Sequence, residues 1–163
     1  MTLQSFLSKV MTNKSVKRST LAIYIDLSKA FDTVRHDILI DKLKKYNFDP
    51  GTVSFFKSYL TNRIQTTHTQ HATSQPLKVT HGVPQGSTLS PTLFLLYIND
   101  MPSPTSTSTI YTYADDTTLV ITSNTADELQ NTAQTTLTSI IQYFHKNNLI
   151  PWVHGILSYY SNP

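Results

Sequence analysis

Short apolar blocks along the chain are separated by polar, turn-rich segments. Leu3–Met11 has the spacing of a short helix, and Asn13–Ser19 is a basic polar connector. Leu21–Ile25 (LAIYI) is a compact β-branched run ending on Asp26, the pattern of a buried strand that delivers a carboxylate at its C-terminal end. Ile38, Leu39, Leu43 and Tyr46 recur at helical spacing within His36–Tyr46, and Asp49-Pro50 reads as an N-cap followed by proline at the first helical position. Arg63–Thr69 and Leu77–Thr80 read as a polar, partly exposed hairpin joined through a loop with Ser74 and Pro76.

His81–Gly86 (HGVPQG) is a Gly/Pro turn cluster, and Leu89–Asn99 is apolar enough for a buried helix. Pro102–Thr109 (PSPTSTST) is a low-complexity linker expected to be flexible. Ile110–Tyr113 and Thr117–Ile121 predict two short hairpin strands with Asp115 and Asp116 at the tip. Thr125-x-x-Glu128 matches a capping box, and Leu129, Ala133, Leu137, Ile140, Ile141 and Phe144 keep one helical face apolar to about Asn147. From Pro151 onward, PWVHGILSYYSNP has no clear period and predicts no element.

The 163 residues fit one small domain, and a hydrophobic share of 39% suffices for a core. The longest strongly apolar run, Leu93–Ile98, is far short of the roughly 20 residues that cross a bilayer, and the N-terminus lacks a signal peptide's apolar stretch. The expectation is a soluble, non-secreted protein of the nucleus or cytoplasm. Without cysteine there is no disulfide framework and no thiolate site, so a metal must sit on oxygen or histidine ligands. The net charge of +3 hides an asymmetry, because residues 1–80 hold 12 Lys+Arg against 5 Asp and the remainder 1 against 5. A basic surface for a polyanion beside an acidic centre fits that split, as does an ordinary solvated face.

Aspartate favours turns and is depleted from strands, so Asp115 and Asp116 are either turn residues or a site. If the strand edge carrying Asp26 lies beside them, three carboxylates about 4 Å apart would repel by about 4 kcal/mol per pair at an effective dielectric near 20. Such a cluster needs cations. Magnesium suits it, since it prefers hard oxygen ligands and is held by one or two carboxylates plus substrate phosphates. None of the six histidines has the i, i+4 spacing of a helical zinc pair.

AIYIDLSKAFDTVRHDIL (Ala22–Leu39), HGVPQGSTLSPTLFLLYINDM (His81–Met101) and YADD (Tyr113–Asp116), in that order, resemble motifs A, B and C of the reverse transcriptases, most closely those of non-LTR (LINE-type) retrotransposons. The resemblance covers roughly residues 20–150 and implies an α+β fold. That fold is a polymerase palm of the reverse transcriptase type, a small antiparallel sheet backed by helices, with fingers and thumb largely missing. Residues 1–19 then read as a remnant of the fingers region, 20–150 as the palm and 151–163 as a divergent tail.

The resemblance implies that Asp26, Asp115 and Asp116 hold two Mg²⁺ ions, with Mn²⁺ a possible substitute, assisted by the backbone carbonyl of Leu27. It further implies nucleotidyl transfer from a dNTP to a DNA primer 3′-hydroxyl on an RNA template. Phe31 matches the family's aromatic steric gate, with a core position as the alternative. Gln85 and Gly86 match residues lining the incoming nucleotide and template, a structural turn being the alternative for Gly86, and Tyr113 falls at the primer and template. Asn147-Asn148-Leu149 is followed by no lysine, so no motif D general acid is assigned. The chain reads as a truncated retrotransposon copy of such a polymerase, expected to be inactive as this fragment alone; a catalytically inactive nucleic-acid-binding remnant of such an element is the alternative. No membrane partner is expected, and the sequence assigns no oligomeric state.

Overall fold

The fold is that of a computed structural model, which describes residues 18–102 and 106–159 together with Ser8, Met11 and Thr12. Most of the expected Leu3–Met11 helix and of the Asn13–Ser19 connector lies outside the described residues, as do residues 103–105 of the expected linker. Two compact units emerge, one of residues 1–28 and 101–163, the other of Lys29–Asp100.

In the first unit, strand β1 (Ser19–Ser28) is longer at both ends than the LAIYI run. Strands β4 (Ser108–Tyr113) and β5 (Asp116–Ser123) form the expected hairpin. With β6 (Ile150–Tyr159) they make one antiparallel sheet in the order β4-β5-β1-β6. Helix α5 (Ala126–Lys146) packs on β1, β5 and β6 and buries Leu129, Ile140 and Phe144. Its start departs from a full capping box. Thr125 Oγ1 accepts from the Glu128 N–H at 3.3 Å, but the Glu128 carboxylate accepts from the Ser123 hydroxyl at 2.7 Å instead of reaching back to the Thr125 amide. The helix ends on Asn148 at φ 56°, with the Leu149 N–H closing onto the Phe144 carbonyl at 2.9 Å.

Strand β6 occupies the segment for which the hydropathy pattern predicts no element. Alternation fails there for two reasons. The strand is at the edge of the sheet, where Ile150, Trp152, Val153, Ile156 and Leu157 all stay exposed, and a bulge resets its phase. Tyr24 pairs with Gly155 and Ile25 with Val153, so His154 is the extra residue.

The second unit is mainly helical. A single turn, α1 (Ala30–Thr33), is followed by α2 (His36–Lys45), α3 (Pro50–Leu60) and α4 (Ser90–Ile98). Helix α2 packs on both α3 and α4 around Leu39, Leu43, Leu60, Leu93 and Phe94. The Asp49 cap forms as expected, accepting from the Thr52 N–H at 3.0 Å. The hairpin is shorter than its sequence suggests: β2 (Ile64–Gln65) pairs with β3 (Leu77–Lys78), and one bridge joins His68 to Thr73. All four paired residues are exposed, the apolar Ile64 and Leu77 among them.

Lys42 on α2 is only 4% exposed. Its ammonium donates to the Asp100 carboxylate and to the Tyr97 carbonyl at 2.5 Å, and sits 4.9 Å from the centre of the Tyr97 ring. Burial lowers the Lys42 pKa and pushes the Tyr97 phenol from 10.0 up to about 12. Folded Tyr97 thus keeps a proton that the unfolded chain releases near pH 10. Its contribution to stability is fully present below pH 10 and is lost as pH rises through about 12. Lys42 acts with the opposite sign, and its effect is complete by its ordinary value of 10.5. Urea midpoints recorded from pH 10 to 12 are therefore expected to fall more steeply for the natural chain than for Tyr97→Phe. Parallel curves would contradict the burial of this phenol.

Candidate active site

The sheet of the first unit brings two of the three predicted carboxylates to the same end. The β1–β5 pairing runs from Ser19↔Ser123 to Ile25↔Thr117, and the next residue on each strand is Asp26 and Asp116. Residues at facing register positions of an antiparallel pair project to the same side, with Cβ atoms about 4.5–5.5 Å apart in such pairs. Asp115 belongs to the two-residue loop between Tyr113 and Asp116, which themselves pair. Its neighbour Ala114 is held at φ 52°, a left-handed conformation that costs a non-glycine residue about 1–2 kcal/mol. Tyr113, beside that loop, is 77% exposed. The loop thus turns tightly at the place where the sequence sets two aspartates side by side.

Asp26 is half-buried, and its two oxygens have separate donors. The Leu27 N–H donates to Oδ1 at 2.9 Å, and His154 Nε2 lies 3.2 Å from Oδ2. His154 is the bulged residue of β6, so the bulge is what aims its ring at the carboxylate. Sequence reasoning missed it, because a lone histidine in a segment without period gives no signal. Leu27 faces Pro151 across β6, and proline has no N–H to donate to the Leu27 carbonyl.

The second unit holds Phe31, Gln85 and Gly86 around one cavity of about 580 Å³, with Ser87, Ser90 and Pro91. Phe31 stacks on buried Phe94, with ring centroids 4.8 Å apart and planes inclined at 28°, so it is half core residue and half cavity wall. Gln85 donates from its amide to Asp32 Oδ1 at 2.7 Å. The loop carrying Gln85 is fixed to the segment after β1: the Gly82 N–H donates to the Val34 carbonyl at 2.7 Å and the Val83 N–H to the Phe31 carbonyl at 2.8 Å. Gly82 stands at φ +84°, and a Cβ there would meet the Asp32 backbone at 2.9 Å. Gly86 stands at φ +80° with nothing within 4 Å of such a Cβ. It therefore leaves open space for a ligand, whereas Gly82 permits close packing.

Among the described residues, no group of three His, Cys, Asp or Glu side chains lies close enough to hold one metal ion. The hard-oxygen donor set of Asp26 and Asp116 nevertheless suits magnesium, which takes one or two protein carboxylates and completes its shell with water and phosphate oxygens. No described helix is long and apolar enough to cross a membrane.

A palm-type antiparallel sheet with aspartates at one end is the class of architecture these elements define. The chain belongs to the reverse transcriptase family: the family described as "Reverse transcriptase (RNA-dependent DNA polymerase)" matches residues 1–150. It is 36% identical over 126 residues to a probable RNA-directed DNA polymerase from transposon BS of Drosophila melanogaster, covering 73% of this chain and 14% of that protein. It is 34% identical over 120 residues to the RNA-directed DNA polymerase from the mobile element jockey of the same organism, covering 69% of this chain and 13% of the relative. The chain thus spans about one-seventh of these relatives. An apo telomerase from Candida tropicalis, truncated from its C-terminal domain, superposes with a TM-score of 0.61 at 12% identity over 97% of this chain and 35% of its own, which establishes likeness of fold.

The two glycines give a direct check on this loop. Gly86→Ala is expected to cost only the left-handed backbone, about 1–2 kcal/mol. Gly82→Ala must also displace the Asp32 backbone and is expected to cost clearly more, read as the shift in urea midpoint. Equal costs would contradict the close approach at Gly82.

Proposed function

We propose that this chain is the palm core of an RNA-directed DNA polymerase that transfers a nucleotide from a dNTP to a primer 3′-hydroxyl on an RNA template. The observation that carries the reading is the β1–β5 register, which runs up to Asp26 and Asp116 at one sheet end. Asp26, Asp116 and Asp115 would hold two magnesium ions, with manganese as a substitute and the Leu27 carbonyl as a further oxygen ligand. When bound, magnesium would favour the alkoxide of the primer and neutralise charge on the departing pyrophosphate.

The chain's own residues do the rest by positioning. Asp26 is kept oriented by the Leu27 N–H and by His154. Phe31, braced by Phe94, would meet the nucleotide sugar and favour a deoxyribose by excluding a 2′-hydroxyl. Gln85, tied to Asp32, lines the same cavity, and Gly86 lets the nucleotide approach the backbone. Tyr113, which is exposed beside the hairpin loop, would meet primer or template. The net +7 of residues 1–80 favours a polyanion partner and should make RNA affinity fall as salt rises.

The test is a graft. Residues 20–150 replace the matching segment of a jockey-type polymerase, and primer extension is followed on an RNA template with deoxynucleotides and magnesium. Extension is expected from the graft, with loss of at least about a hundred-fold in Asp26→Asn and in Asp116→Asn, since a neutral amide is a far poorer magnesium ligand than a carboxylate. Extension surviving either substitution would show that the carboxylates are wrongly assigned. Salt-dependent RNA binding by a graft that never extends would favour the binding remnant.

A further inference from the structure

A second cavity in the Lys29–Asp100 unit, of about 490 Å³, is lined by Asp32, Arg63, Gln65, His81, Gly82 and Gln85 among others. It is not the cavity of Phe31 and Gly86, although Gln85 lines both. Its walls are built by the same loop-to-segment hydrogen bonds that fix Gly82 and Val83, and Arg63 enters from the hairpin, its carbonyl accepting from the Val79 N–H at 2.9 Å.

The charge arrangement is the informative part. Arg63 and Asp32 line one cavity without forming an ion pair with each other. Among the described residues no carboxylate lies within 4.0 Å of the Arg63 guanidinium, while Asp32 Oδ1 is committed to Gln85. His81 uses Nδ1 on the Thr80 hydroxyl at 2.9 Å. An unpaired planar cation, a half-used carboxylate and two amides around one cavity leave a fork of donors for an anion and an acceptor for a hydroxyl. A ribonucleotide unit presents both, an anionic phosphate and a 2′-hydroxyl donor.

We propose that this cavity binds one ribonucleotide unit of an RNA strand, with Arg63 taking the backbone phosphate and Asp32 the ribose hydroxyl. The proposal rests on the nucleic-acid reading of the chain and adds to it a strand-holding site separate from the nucleotide cavity.

The experiment titrates a labelled single-stranded RNA, and the DNA of the same sequence, against the full chain by fluorescence anisotropy at several salt concentrations. Arg63→Gln is expected to weaken RNA binding about three- to ten-fold at low salt and to reduce the slope of log K against log salt by about 0.7, the share of one phosphate on a single strand. Lys57→Gln, which removes a cation that does not line this cavity, should do clearly less. Arg63→Lys should restore the slope while leaving affinity below the natural chain, because an ammonium keeps the charge and loses the fork. Asp32→Ala should narrow the preference for RNA over DNA. If the natural chain binds RNA and Arg63→Gln behaves like Lys57→Gln, the cavity proposal fails alone. Absence of RNA binding by the natural chain would overturn it together with the functional reading beneath it.

Discussion

The antiparallel register between β1 and β5 is the constraint on which the candidate site depends. Side chains alternate faces along a strand, so a slip of one residue would send Asp26 to one side of the sheet and Asp116 to the other. The register is held by what is buried along it. Ile23 faces Leu119 and Leu21 faces Ile121, and of these Ile23, Leu119 and Ile121 are at most 2% exposed. A slip would turn that apolar set out of the core, and such loss of burial costs about 1.5–3 kcal/mol for each large side chain. The core thus fixes where two aspartates end up, although neither aspartate contributes to the core.

That arrangement opposes local preference. Like charges on the residues that follow the last β1–β5 pair would repel, and Ala114 carries left-handed strain in the adjoining loop. The sheet tolerates both because its stability is decided elsewhere, in the packing of α5 on β1, β5 and β6. The His154 bulge adds a donor to Asp26 from the opposite edge strand. Carboxylates gathered at the end of a well-packed sheet are suited to binding cations, which offset their mutual repulsion.

Elements with a clean period were legible in the sequence. The long apolar face from Leu129 to Phe144 and the Asp49-Pro50 start are found where the pattern puts them. The β4–β5 hairpin is also found, with β4 starting at Ser108, because strand pairing carries polar residues that hydropathy assigns to a linker. What escaped was decided by tertiary pairing. Strand β6 gains its hydrogen bonds from β1 across a bulge, and no local pattern encodes a partner more than a hundred residues away. His154 and Asp32 were invisible for the same reason, each meeting its partner, Asp26 and Gln85, only through the fold. Phe31, which the sequence left between steric gate and core residue, stacks on buried Phe94 and lines a cavity.

The central claim is that Asp26 and Asp116 act on one cation. Manganese titration of the chain followed by electron paramagnetic resonance measures this without requiring turnover. The account predicts that Asp26→Asn and Asp116→Asn each remove the same tightest manganese site, and that the double variant loses little more than either single one. Binding that survives both single substitutions, or two independent and additive losses, would contradict it.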